Sequence, residues 1–199
     1  MEHNRVKNYN KSSYIKPRRN NKTSINNTLD ELIKISTDGK TLKSDSSKWK
    51  CVLDKKNSLM WEVKNEDEGL QYALNTYTWF DDVSGRGSGT FSKNCNLGEN
   101  CNTKSYIENI NNIELCSYTN WHWHLPPRNE LNSIVDYYGD SDTLINTDFF
   151  PNTQKDTYWT STSVKDRPSL AYEIPFFFGG STARDKTIDT FVRLVRSAD

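Results

Sequence analysis

The residues of this chain best suited to chemistry lie between positions 164 and 187. There Lys165, Arg167, Arg184 and Lys186 are interleaved with Tyr172, Phe176, Phe177 and Phe178, around a Gly179-Gly180 pair that permits a sharp turn. An Arg guanidinium is a planar fork of donors that fits sulfate and carboxylate, and a Lys ammonium adds a point charge. Aromatic rings offer an apolar face with large contact area, suited to the apolar faces of sugars. Such a set grips a ligand without transforming it, so Lys165, Arg167, Tyr172, Arg184 and Lys186 are the candidate ligand-binding residues. Two features oppose this. Asp166, Asp185 and Asp189 dilute the positive potential, and the run 176–178 is equally suited to a core.

Three other constellations invite a metal or a reaction. In Trp121-His-Trp-His124 an extended backbone sends both tryptophans one way and both histidines the other. His-x-His with no carboxylate or third His nearby is a weak metal signature, and a core-facing Trp pair backed by exposed histidines is the expectation. Asp136, Asp140, Asp142 and Asp148 could offer oxygen ligands to calcium, but their spacing does not continue as a calcium loop. A solvated acidic segment is expected, with no cofactor, calcium being the one alternative. A carboxylate pair such as Glu173 with Asp185 would suit a glycosidase, with nothing else in the sequence to support it. No Gly-x-Ser-x-Gly, no His-Glu-x-x-His and no Cys–His motif is present, so no catalytic residues are assigned and no enzyme is expected. Gly85-Arg-Gly-Ser-Gly89 has neither a following helical pattern nor a Lys-Ser/Thr ending, so it reads as a loop and not a phosphate cradle.

The four cysteines, Cys51, Cys95, Cys101 and Cys116, form an even set without C-x-x-C spacing. Two disulfides are expected, with reduced core cysteines as the alternative. Three pairings exist in principle. A helix expected between Cys101 and Cys116 would hold those two apart at ~1.5 Å per residue. The expected bridges are therefore Cys95–Cys101 and Cys51–Cys116, which suit an extracellular or cell-surface location.

Composition separates an arm from a domain. The chain has 199 residues, 34% of them hydrophobic, with zero net charge and a mean hydropathy of −0.86. All six tryptophans fall at or after Trp49. Residues 1–31 are Asn-, Lys- and Arg-rich without periodicity, and read as a disordered basic arm. Residues 1–50 hold twelve Lys/Arg against five Asp/Glu, a balance of +7 that residues 51–199 cancel. A solvated tail is the expected use of that charge, with no specific nucleic-acid partner. Sequons in so Asn-rich a stretch carry little weight. No apolar run reaches even the ~7–15 residues of a signal-peptide core, so neither membrane insertion nor a signal peptide is expected from these residues.

The elements that must position the candidate residues are short. Residues 50–53 and 59–63 read as strands around the polar break Asp54-Lys-Lys-Asn57, with Asn57 suited to a left-handed turn. Tyr106, Ile107, Ile110 and Ile113 recur at helical spacing after Asn102-Thr103, an adequate N-cap. Leu131, Ile134, Val135 and Tyr138 signal a second helix, where Pro127 cannot offer a capping hydroxyl. Residues 157–161, 171–178 and 190–195 read as extended, with Pro175 marking an edge or a strand end. The expectation is an α+β domain over residues 32–199, two helices packed on a small, irregular, mostly antiparallel sheet with long loops.

Several fragments carry a resemblance. They are Trp49-Lys-Cys51, Asp54-Lys-Lys-Asn-Ser-Leu-Met-Trp61-Glu-Val-Lys64, Leu125-Pro-Pro-Arg-Asn-Glu130-Leu131, Phe150-Pro-Asn-Thr153, Tyr158-Trp159-Thr-Ser161 and Val192-Arg-Leu-Val-Arg196. In this order and spacing the chain resembles the Lcl C-terminal-domain family, named for bacterial collagen-like adhesins. The resemblance implies a C-type-lectin-like fold shared with formylglycine-generating enzymes. It further implies a bacterial adhesin-type module whose late loops bind glycans, sulfated ones included, or a host or partner protein, and a homo-trimer as the assembly. The chain departs from family patterns in carrying Asn57-Ser58 for Thr-Gly, Pro127 for Thr, two extra residues before Leu125-Pro126, and no Gly-x-y repeat. The paired copper-holding cysteines of formylglycine-generating enzymes are unmatched, since no cysteine follows Cys116. A metal-dependent enzyme is therefore the least favoured reading. A variable receptor diversified by a retroelement is the second, and a reverse-transcriptase gene beside a near-copy of the last hundred or so bases would mark it.

Overall fold

The computed structural model describes residues 31–80, 94–98, 100–116, 122–139 and 141–198. Nearly all of the basic arm, the 85–89 loop, Trp121 and Asp140 lie outside the described residues. The order is β1 (Leu32–Ile35), β2 (Cys51–Asp54), β3 (Leu59–Glu62), α1 (Thr103–Asn112), α2 (Arg128–Ser133), β4 (Thr157–Val164), β5 (Arg167–Pro175), β6 (Thr182–Asp185) and β7 (Val195–Ser197). This is the expected α+β class, with two helices and antiparallel strands. In place of one sheet there are two, a four-stranded sheet in the order β1-β2-β3-β7 and a three-stranded sheet β4-β5-β6.

The β2–β3 hairpin forms where expected, with Asp54 opposite Leu59. Its turn works differently in detail. Asp54 Oδ1 accepts the Asn57 amide at 3.1 Å, and the left-handed residue is Ser58 (φ 51), not Asn57. Asp54 thus folds the turn through its side chain, as short acceptors do. Pro175 ends β5, consistent with its lack of a ladder donor.

α1 begins at the expected cap, with Asn102 Oδ1 accepting the Ser105 amide at 2.9 Å. It buries Tyr106 and Ile110. α2 stops at Ser133, short of the expected span, and Tyr138 is solvent-facing instead of packed. The cause is Asp136, whose Oδ1 accepts the amides of Tyr138 and Gly139 at 3.0 and 2.8 Å. An Asp that bonds forward in this way competes with the helical ladder. Pro127 stands at the N-cap with no side-chain bond, and a hydroxyl from β4 substitutes: Thr162 Oγ1 accepts the Arg128 amide at 3.1 Å.

Both expected disulfides are present, Cys51–Cys116 and Cys95–Cys101. The first ties β2 to the segment after α1, and the second closes a six-residue separation ahead of it. The four-stranded sheet is buried on both sides. Cys51 and Met60 join one apolar cluster with Tyr77, Tyr106, Trp123 and Trp159, while Val52 and Trp61 join another with Leu131, Phe149, Phe150 and Phe176.

A buried polar network ties these layers together. Glu62 is inaccessible and receives Lys64 Nζ at 3.0 Å, the Tyr106 hydroxyl, Gln71 Nε2 at 3.4 Å and the Leu194 amide at 3.0 Å. Arg193, also inaccessible, donates to the Glu62 carbonyl at 2.6 Å and to Thr153 Oγ1 at 2.8 Å. Desolvation pulls the Lys64 ammonium down to about 8, with Glu62 opposing. It pushes Tyr106 well above its ordinary value and Tyr158 up to about 12.

Candidate functional site

Strand parity sorts the five candidate binding residues. Ala171 pairs with Arg184, Tyr172 with Ala183 and Glu173 with Thr182. Paired residues share a face and neighbours alternate, so Glu173 and Arg184 lie on one face of the sheet and Tyr172 on the other. Lys186 is 1% exposed, with its Nζ 4.0 Å from the Trp79 ring centre, and so it belongs to the interior and not to an outer surface. Arg184 is half-buried and its Nε donates to Glu173 Oε2 at 2.5 Å, a bond that raises the guanidinium pKa. Lys165 and Arg167 are exposed at the far end of the β4–β5 hairpin. The five therefore do not converge.

What the structure does bring together lies along α2. At its start the Arg128 guanidinium stacks over the Tyr172 ring, 4.6 Å from the ring centre. Beyond its end, Tyr137 donates from its hydroxyl to Asn132 Oδ1 at 2.8 Å and accepts the Gly180 amide at 2.9 Å. This fastens the 176–180 turn to the helix. Gly179 (φ +74) sits so tightly on Tyr137 that a Cβ there would meet the ring at 2.2 Å. Of the three phenylalanines, Phe176 points inward and packs edge-on to Tyr158 at 5.0 Å. Phe177 and Phe178 point outward, 43% and 56% exposed, in an edge-to-face pair at 4.7 Å. Tyr137 is 44% exposed beside them. The mixed expectation for 176–178 resolves into one core ring and two surface rings.

Arg128 and Tyr137 went unmarked in the sequence reading. Arg128 has a faint signal, being the one cation of Leu125-Pro-Pro-Arg-Asn-Glu130. Tyr137 has none, because only the packing of the turn against α2 reveals it.

The remaining candidates stay apart. Trp123 is core, donating from Nε1 to Leu115 O at 3.2 Å, while His122 and His124 are exposed, as alternation requires. His124 lies 3.8 Å from Glu130. Asp142 pairs with Lys155 at 3.5 Å. Among the described residues no three His, Cys, Asp or Glu side chains are grouped to hold a metal ion. Glu173 and Asp185 lie on opposite faces of the sheet, so they do not form a carboxylate pair.

The geometry is that of an α+β fold held by two disulfides, with the Phe177 and Phe178 rings set in solvent. The chain belongs to the Lcl C-terminal domain family, whose model matches residues 50–196. No curated protein and no solved structure matches this chain. Family membership points to a surface or adhesin-type module. The disulfides fit a secreted or surface protein, and among the described residues no helix is long and apolar enough to cross a membrane.

Proposed function

We propose that this chain is a non-catalytic module of an extracellular or cell-surface protein. It binds glycans, sulfated glycans among them, through the strip that runs along α2 from Arg128 and Tyr172 to Tyr137, Phe177 and Phe178. The observation that carries the reading is the outward Phe177–Phe178 pair on a turn pinned by Tyr137. Rings left in water forgo the burial that would stabilise the fold, and here the backbone beneath them is bonded in place. A fixed platform loses little entropy when a sugar face stacks on it. The Arg128 fork, held 4.6 Å from the Tyr172 ring centre, suits a sulfate or carboxylate at the strip's other end. The module needs no metal or other cofactor in this reading.

The test is a glycan array and a heparin column at low salt, with the intact chain, F177A/F178A and R128Q. The intact chain is expected to bind, the aromatic variant to lose binding broadly, and R128Q to lose the sulfated glycans selectively. Silence of the intact chain on both supports overturns the reading. The same rings favour one other occupant, a protein surface, which includes a second copy of this chain. Sedimentation of the intact chain as a trimer that F177A/F178A converts to monomer would select that occupant.

A further inference from the structure

A second group of residues stands at the β1 edge of the four-stranded sheet. β1 places Ile33 and Ile35 against one apolar cluster, which turns Lys34 to the other side. There Lys34 is only 6% exposed. Its Nζ sits 3.6 Å from the centre of the Trp49 ring and donates to Ser46 O at 2.9 Å. The ring is itself held, with Trp49 Nε1 donating to Phe149 O at 2.9 Å. Lys34 makes no ion pair with any described residue. The Phe149 ring centre lies 5.7 Å from the same nitrogen. A buried ammonium is normally matched by a carboxylate, because two ring faces and one carbonyl replace only part of its hydration.

This ammonium lines a cleft of about 440 Å³ whose rim includes Ser44, Ser46 and Ser47. The hydroxyls of Ser44 and Ser47 bond to no described residue. Asp148 also lines the cleft and opposes an anion there. Lys34, Trp49 and the three serines all precede residue 50, where the family match begins, so the cleft is built largely by residues outside it.

We propose that the Lys34 cleft is a binding site for a tetrahedral oxyanion, a sulfate or phosphate group, either free or carried on a sugar. The Lys34 ammonium supplies the charge, the hydroxyls of Ser44 and Ser47 supply donors, and Trp49 forms the apolar wall. The site shares no element with the strip along α2, so loss of glycan binding there leaves this proposal standing.

The experiment is a ¹⁵N–¹H NMR titration of the whole chain at constant ionic strength. The probes are sodium sulfate, sodium phosphate, N-acetylglucosamine 6-sulfate and unsulfated N-acetylglucosamine, with sodium chloride as control. Saturable shifts of the Trp49 indole and the 44–47 amides are expected with the first three and not with the last two. Tighter binding of the sulfated sugar than of free sulfate would identify a carried group, and equal binding a free one. K34M is expected to weaken binding by about tenfold or more, and K34R to retain much of it. In case K34M unfolds, S47D adds a charge at the solvent-facing rim and is expected to weaken the oxyanion several-fold in a chain with unchanged dispersion. Shifts that chloride reproduces, shifts confined to other residues, or undiminished binding by S47D would overturn the proposal.

Discussion

Glu62, Lys64 and Arg193 place their charges in the interior and not at the surface. Trp61, Glu62, Val63 and Lys64 are buried, and so is every residue from Val192 to Arg196. Lys64 pairs with the Glu62 carboxylate, and Arg193 and Arg196 donate to backbone carbonyls, so these charged residues brace the interior. Lys64 also makes stability depend on pH. Between about pH 8 and 10.5 it is neutral in the folded chain and protonated in the unfolded one. The unfolded state then binds the extra proton, and stability rises with pH, by on the order of 3 kcal/mol if the full shift is realised. Above pH ~10 the sign reverses, because Tyr106 and Tyr158 keep their protons when folded and lose them when unfolded. Urea denaturation is expected to show maximal stability near pH 10, and K64M to lose the rise between pH 8 and 10. Gly179 makes a second residue-scale prediction. G179A forces a Cβ toward Tyr137 at a positive φ, displacing the turn. Glycan binding should fall at least as far as with F177A/F178A, and unfolding free energy by about 1–3 kcal/mol.

Among the elements, α2 is the one least legible in advance. Its apolar spacing runs on through Ile134, Val135 and Tyr138, but periodicity registers side-chain pattern and not the competition for backbone donors. Asp136 wins that competition two and three residues ahead of itself. An Asp three residues before Gly139 was visible in the chain; that it would end the helix was not. The N-terminus tells the converse story, since the missing cap was readable from Pro127 while the substitute, Thr162, comes from a strand thirty-four residues away. P127S is expected to restore a local cap and raise stability by about 0.5–1 kcal/mol, read as a rise in Tm of a few degrees. β5 and β6 give a different lesson. Parity alone separates Tyr172 from Glu173, because an odd step along one strand changes faces. Placing Arg184 needed the register with β6, which no local signal carries.

For the molecule as a whole, the class, the hairpin and α1 could be read from residue types and spacing, because each depends on neighbours along the chain, and both disulfide pairings fall where the length of α1 allows them. The division into two sheets could not be read in this way. It rests on β3 pairing with β7, where Leu59 meets Ser197 across almost the whole domain. The disulfides span very different distances, with separations of 65 and 6 residues. By loop entropy the longer contributes about 4 kcal/mol and the shorter about 2. Their sum rivals the 5–15 kcal/mol of a typical domain. Complete reduction is therefore expected to abolish the near-UV circular dichroism at 37 °C, and C51A/C116A to cost roughly twice as much as C95A/C101A in urea denaturation.

The partners of Glu62 impose an order of events on folding. The Leu194 amide and the Arg193 side chain that complete its surroundings lie 132 and 131 residues further along the chain. Until that distant segment docks, an acid and an amine destined for the interior have no reason to leave water. The early hairpin cannot tighten alone, and closure waits for the two ends of the domain to meet.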